Sequence, residues 1–267
     1  MFGKSEQRDD YQNTRRAVVA MARDLEPGHH IAAHQHRRSQ LLYCSSGVMT
    51  VSTEAGAWVV PPHRGVWVPG GVRHELTASG HVRLRTVYIE PDARADFPIR
   101  CAVLTISPLL RELILAAVRI PNDYWPGSRE DRLMMLILDE LVPSSELPLH
   151  LPMPADRRLL KLCEYLIEHP DSRSDLRALG LKFGASQRTL ERLFPAETGM
   201  TFSLWRQQAR VLAAIRLLAE GHSIASVALD VGYESPSAFT VMFRRAFGVA
   251  PSDYYRSSVD GEGDADS

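Results

Sequence analysis

The segment HQHRRSQ, His34 to Gln40, sets two imidazoles one residue apart and a carboxamide four residues beyond the second. Alternate residues of a β-strand project from one face, so His34 and His36 can offer nitrogen donors together. Imidazole suits Zn, Ni or Fe, and a metal enzyme favours a carboxylate where Gln40 stands. A neutral amide weakens the hold on a dication and removes a proton acceptor. Three readings are open: a catalytic metal centre, a sensor that keeps the scaffold, or polar residues inside a β-structure.

The elements that must position these residues are short. From Arg16 to about Glu90, runs such as "RAVVAMARDL", "VMTVSTEAG" and "VRLRTVYIE" alternate in polarity and are punctuated by Gly, Pro and Ser every eight to twelve residues. That texture predicts a small all-β barrel or sandwich over residues 1–98. Residues 99–143 then read as helical. Ser107 with Pro108, and Ser128 with acids in the following turn, mark two helix starts. The broad apolar face of "REDRLMMLILDELV" makes it the candidate dimer helix, with packing on the barrel's own flank as the competing explanation. Residues 144–156, proline-rich and aperiodic, predict a linker. Residues 157–256 predict an all-α domain, and 257–267 a disordered acidic tail.

With 267 residues, two domains are expected. Cys44, Cys101 and Cys163 are odd in number and lack a C-x-x-C spacing, which argues against a disulfide framework and fits a reducing cytoplasm. The polar N-terminus has no signal-peptide core, and no apolar run approaches the ~20 residues that span a bilayer, so no membrane association is expected. The net charge of −1 conceals an asymmetry. Residues 1–153 hold 17 basic and 17 acidic side chains, residues 154–256 hold 14 and 11, and the tail adds four acids. The positive excess in the helical part permits nucleic-acid binding.

Within that part, "DLRALGLKFGASQRTLERLF" and "SIASVALDVGYESPSAFTVMF" echo each other. Each gives a short helix, a turn at Gly184 or Gly232, a serine cap at Ser186 or Ser235, and a second helix. That is a helix-turn-helix layout, in which the second helix enters a major groove. Leu190, Leu193 and Phe194 should pack inward, leaving Gln187, Arg188, Glu191 and Arg192 outside. Gln and Arg can pair with purine edges, and Glu can accept from cytosine; a solvated face with charges spaced i, i+4 would look the same. In the second unit Phe239, Phe243 and Phe247 form the expected buried stripe, with Ser237, Thr240, Val241, Arg244 and Arg245 at the surface. "TFSLWRQQARVLAAIRLLAEG" connects the two units as one amphipathic helix.

This hundred-residue stretch, with "SQRTLERLF", "ETGMTF", "RVLAAIRLL", "SIASVALDVGYESPSAF" and "FRRAFGVAPSDYYR" in order, resembles the AraC/XylS family of bacterial transcription regulators. The resemblance implies a double helix-turn-helix reader of double-stranded DNA, with base contacts carried onto Arg188, Glu191, Arg192, Ser237 and Val241. Two departures stand out. Gly180 replaces an alanine of the bracing helix, and Pro195 falls inside the recognition helix, where it should bend or shorten it.

The spacing Gly28-x5-His34-x-His36-x3-Gln40-x6-Gly47, followed by Pro69-x-Gly71-x2-His74, resembles the two cupin motifs. The resemblance implies that His34, His36, Gln40 and His74 converge, able to hold Zn, Ni or Fe although no cofactor is required. Tyr43, Trp58, Trp67 and Tyr88 are the expected lining of a small-molecule pocket, with plain core packing as the alternative. Together these features predict a cytoplasmic, homodimeric, sequence-specific regulator that is not an enzyme. A small-molecule effector in the cupin domain would control it, with RNA polymerase a further partner. The alternative is a metal-dependent cupin dioxygenase or isomerase with a helical appendage.

Overall fold

The computed structural model describes residues 5, 7–142 and 149–254. The expected tail at 257–267 and the first part of the linker, 144–148, lie outside the described residues. The chain divides into two compact units, one of Met1–Thr53 with Val60–Leu147 and one of Glu54–Val59 with Pro148–Ser267.

In the first unit a 3-10 turn, Arg8–Tyr11, precedes β1 (Val18–Leu25), β2 (His30–His34) and β3 (Ser39–Thr53). β4 (Gly56–Val60) ends where the chain re-enters this unit, and β5 (Arg64–Val68), β6 (His74–Ile89) and β7 (Ala102–Thr105) follow. β6 is the spine. One edge pairs antiparallel with β3 along its length, and the other pairs first with β2, from His74, and then with β1, up to Ile89. β3 carries β5, which carries β7. The sheet therefore runs past residue 98, because β7 pairs with Arg64–Trp67 and belongs to the β-structure rather than to a helical segment.

Helices α1 (Pro108–Ala117) and α2 (Arg129–Glu140) start where the serines predict. Ser107 accepts a hydrogen bond from the Leu110 amide and Ser128 one from the Asp131 amide, each satisfying an orphan first-turn donor. Leu110 and Ile114 of α1 join Met134, Ile137 and Leu138 of α2 in one core with Leu41, Tyr43, Trp67 and Val87. Each such side chain contributes about 1.5–3 kcal/mol on burial. The wide apolar face of α2 is thus used within the unit, as its flank-packing explanation required; Leu136 stays partly exposed.

In the second unit, residues expected as aperiodic linker form a strand. β8 (His150–Pro152) pairs with Gly56–Trp58 of β4, and the Trp58 ring stacks on His150 at 4.3 Å. Helices α3 (Arg157–Glu168), α4 (Leu176–Phe183), α5 (Gln187–Thr198), α6 (Phe202–Ala219), α7 (Ile224–Asp230) and α8 (Pro236–Phe247) complete it. Residues 157–254 are all-α as expected, and the strand pair precedes them in the segment expected as linker. α6 holds that pair: Trp205 Nε1 donates to the Pro152 carbonyl and Gln208 Nε2 to that of His150. No described helix is long and apolar enough to cross a membrane.

Candidate effector cavity and nucleic-acid interface

The sheet of the first unit wraps a cavity of about 510 Å³. Ile31, Leu76, Leu84 and Tyr88 give it apolar walls; Arg8, paired with Asp9 at 3.8 Å, and Arg23 leave an excess of positive charge. His34 and Gln40 also face it. The N-terminal segment is fastened above it by the fully buried Arg38, whose guanidinium donates to the carbonyls of Thr14 and Arg16 and pairs with Glu90 at 2.7 Å. Tyr11 stacks on Tyr88 at 5.7 Å.

At one end of the cavity the three histidines converge. β2 shifts register between Ile31 and His34, and His34 lands opposite His74 of β6. β2 ends at His34, so His36 reaches the group from the loop into β3. That loop is tied to the second motif: the Gly71 amide donates to the His36 carbonyl, and a Cβ on Gly70 would lie 2.1 Å from the Arg37 carbonyl oxygen. This close approach explains Gly70, while Gly71 turns in the left-handed region at φ 81°. The donor atoms of His34, His36 and His74 lie within 4.8 Å of one another. Each Nδ1 faces a backbone carbonyl, of Ala32 at 2.9 Å, Arg38 at 2.6 Å and Val72 at 2.9 Å. A carbonyl only accepts, so each Nδ1 carries the proton and each Nε2 is left to the centre. Burial lowers the His74 pKa to about 4 and depresses that of His34 as well. Gln40 joins the group, its Oε1 2.9 Å from His36 Nε2 and its Nε2 2.8 Å from Thr86 Oγ1.

The expected aromatic lining is corrected. Of the four expected aromatic residues, Tyr88 alone lines the cavity. Tyr43 and Trp67 lie on the opposite face of the sheet, in the core with α1 and α2. Leu41 pairs with Trp67, and Tyr43 follows two residues along the same face, whereas Gln40 pairs with Tyr88. Trp58 belongs to the second unit. Because residues 39–45 of β3 are buried on both faces, polarity does not alternate there and gives no sign of which face is the cavity.

In the second unit both helix-turn-helix pairs form. Gly184 turns in the left-handed region at φ 74°, and Ser186 caps α5. Gly232 turns at φ 79°, and Ser235 caps α8 with Pro236 at its first position. Gln187, Arg188, Glu191 and Arg192 are exposed on α5; Ser237, Val241, Arg244 and Arg245 are exposed on α8, with Thr240 half-buried. Gln187 Nε2 donates to Glu191 Oε1 along the helix, while the four arginines make no hydrogen bond or ion pair among the described residues. Phe239 and Phe243 are buried; Phe247 is half-buried and packs on Phe243 and Tyr254.

Residues 17–142 match the model of an AraC-like ligand binding domain, and 179–257 that of a helix-turn-helix domain. The chain is 35% identical over 221 residues to the HTH-type transcriptional regulator NimR of Escherichia coli strain K12, covering 83% of this chain and 81% of that protein. The chain belongs to the AraC family of transcription regulators. The regulatory protein SoxS of Salmonella typhimurium is 36% identical over 94 residues, 35% of this chain and 88% of SoxS. Among solved structures, the DNA-binding domain of AdpA in complex with a target DNA is similar over 38% of this chain and 96% of that one, at 32% identity and a TM-score of 0.35. This chain is thus an AraC-family regulator, with a ligand-binding domain and a helix-turn-helix domain that binds double-stranded DNA.

The departures of this AraC-family chain have local causes. A Cβ on Gly180 would sit 2.4 Å from the Ala185 carbonyl, so the first turn packs too tightly for alanine. α5 does not stop at Pro195, as it runs to Thr198. Proline leaves the Glu191 carbonyl without its helical donor, but this face is exposed and water can serve it. Two residues of the site escaped the sequence reading. Arg210 on α6 donates to the Pro170 and Ser172 carbonyls, and Arg206 to that of Ser174, which fixes the loop leading into α4. Their i, i+4 spacing is a signal shared with any solvated helix face.

Proposed function

We propose that the regulator reads its operator through Gln187, Arg188, Glu191 and Arg192 of α5, while Ser237, Thr240, Val241, Arg244 and Arg245 of α8 mainly hold the next groove's backbone. The observation that carries this reading is the set of four exposed arginines without partners on the second helices of two helix-turn-helix pairs. Arginine pairs with guanine edges and with phosphate. α6, 18 residues and therefore about 27 Å long, links the two reading helices on a scale close to one turn of DNA, ~34 Å.

The effector occupies the cavity of the first unit. Arg8 and Arg23 among Ile31, Leu76, Leu84 and Tyr88 suit a small ligand with an apolar body and an acidic group. Its binding shifts the regulator between arrangements of different operator affinity. The protein acts in the cytoplasm as a homodimer, engages RNA polymerase at the promoter, and catalyses no reaction. Gln40 supports the last point, since an amide does not take up a proton as a catalytic carboxylate would. Footprinting upstream of the gene, with and without candidate acids, tests the whole reading. The footprint should vanish in Arg188→Ala/Arg192→Ala, and a matching acid should change operator affinity at least tenfold. A footprint insensitive to every ligand that binds the cavity removes the switch.

A further inference from the structure

Trp125, in the loop between α1 and α2, is 80% exposed, whereas Trp58, Trp67 and Trp205 are at most 3% exposed. An indole is ordinarily among the better buried side chains. Slackness of the loop does not account for this one. The residue before it, Tyr124, is buried and donates through its hydroxyl to the Val18 carbonyl at 2.9 Å. The Tyr124 carbonyl accepts from Arg16 Nε, and the Arg16 guanidinium lies over the tyrosine ring at 5.5 Å. On the other side Pro126 holds its predecessor to extended backbone, and the Ser128 amide donates to the Trp125 carbonyl at 3.1 Å. The indole is displayed on a braced loop.

It borders a second cavity of the first unit, of about 540 Å³, a size that suits one small molecule. Thr14, Arg15, Arg16, Asn122 and Asp123 complete the lining, and none of them lines the cavity at His34. The charges here are kept apart. Arg15 and Asp123 are exposed and border the same space, yet neither makes a hydrogen bond or ion pair among the described residues. Arg16 is committed to Tyr124 and serves as wall. Asn122, also in the lining, has its Oδ1 buried without a partner, so this wall lacks a donor.

These groups have their counterparts in one kind of ligand. An indole face left in water suits a planar aromatic ring, because every nucleobase has a π-face to stack. A free guanidinium suits a phosphate. The carboxylate is the selective element, since it only accepts and can take two parallel N–H donors. Among the common nucleobases guanine alone offers two adjacent donors, N1–H and the 2-amino group. Adenine and cytosine set a ring acceptor beside their amino group, and uracil flanks its one N–H with carbonyls. We infer that this cavity binds a guanine mononucleotide. The base stacks on Trp125 and donates to Asp123, the phosphate pairs with Arg15, and a sugar hydroxyl supplies the donor for Asn122. The site shares no residue with the effector cavity or the reading helices, so it stands independently of both readings.

The test titrates the full-length protein with GMP, AMP and guanosine, followed by calorimetry and by tryptophan emission. Because the other three tryptophans are buried, acrylamide quenching reports mainly on Trp125, and saturating GMP should lower the quenching constant at least twofold. GMP should bind at least tenfold more tightly than AMP or guanosine. Trp125→Ala should weaken GMP binding at least tenfold. Arg15→Ala should make GMP and guanosine bind alike, since the phosphate has lost its partner. Asp123→Asn replaces one acceptor by a donor and should abolish the preference for GMP over AMP, an exchange of specificity that misfolding cannot produce. All three positions are exposed, so the variants should keep the parent's stability. The inference is overturned if GMP at millimolar concentration does not bind, or if AMP binds the parent as well as GMP does. It is equally overturned if GMP binding survives Trp125→Ala and Arg15→Ala unchanged, or if Asp123→Asn keeps the parent's preference.

Discussion

The polar groups of the two units are in opposite states. In the first, His36, Gln40, His74 and Arg38 are buried, and most of their polar atoms are already engaged by a carbonyl, a hydroxyl or a carboxylate. In the second, Arg188, Arg192, Arg244 and Arg245 stand in solvent, engaged by nothing among the described residues. A cavity must be assembled before its ligand arrives, because burying unpaired polar groups is expensive. A DNA-reading face can wait in water, which solvates its cations until the phosphates replace it. Substitutions in the first unit should therefore cost stability, and those on the reading helices should cost binding alone.

The sharpest contrast is Arg38→Ala. Removing the buried guanidinium takes its donor from the Thr14 carbonyl, leaves the Arg16 carbonyl only the long contact from the Thr14 hydroxyl, and releases the segment above the cavity. Breaking a buried ionic network of this kind costs about 3–5 kcal/mol. Chemical denaturation should show a loss of that size, with faster hydrogen exchange in β1. Equal stability would mean that the segment holds itself, and the contrast would fail at its strongest point.

Arg188→Ala/Glu191→Ala/Arg192→Ala tests the other side. Each base contact is worth about 1–3 kcal/mol of discrimination, so operator affinity measured by anisotropy should fall at least a hundredfold. Stability should stay within about 0.5 kcal/mol, as for other exposed positions. A variant that binds normally would assign recognition to other residues, whereas one that unfolds would show that this face is structural.

Gly180→Ala sits between the extremes, since it lies on the bracing helix with no role in contact. The alanine methyl would meet the Ala185 carbonyl, and overpacking of this sort costs about 1–3 kcal/mol. Both stability and operator affinity should fall, because the turn sets the angle of α5. An unchanged melt would mean that the turn can yield.

What the sequence disclosed follows from the range of the interactions involved. Helix starts were legible because a serine cap is a contact over three residues, as at Ser107, Ser128, Ser186 and Ser235. The histidine group was legible through the spacing of its two motifs. β8 was not, since His150–Pro152 becomes a strand only by pairing with Gly56–Trp58, more than ninety residues earlier. β7, at Ala102–Thr105, escaped for the same reason, because its partner is β5. Tyr43 and Trp67 are hard to place because an aromatic residue in a strand buried on both faces reads the same from either side, and Trp58 because its strand pairs with β8 of the second unit. Arg206 and Arg210 were silent because carbonyl acceptors leave no mark in a sequence.

The smallest predicted effect concerns acid. Asp156 caps α3, accepting from the Arg158 and Leu159 amides, and its pairing with the Arg158 side chain does most to lower its pKa to about 2. The unfolded carboxyl titrates near ~3.9. A folded pKa below the unfolded one stabilises the native state fully above the unfolded value, and this contribution disappears as pH falls towards the folded value. The second unit should therefore lose a small part of its stability between about pH 4 and pH 2 through this group. The Arg158 side chain that pairs with it is half exposed, so screening keeps the effect modest. Asp156→Asn retains an effective cap, because asparagine caps about as well as aspartate. The variant should match the parent under acid, where the parent's carboxyl is also neutral, and fall slightly below it at neutral pH. Urea titrations at several pH values, read by exchange of α3 amides, give the slope directly. Identical slopes in parent and variant would show that the acid sensitivity of this unit does not come from Asp156.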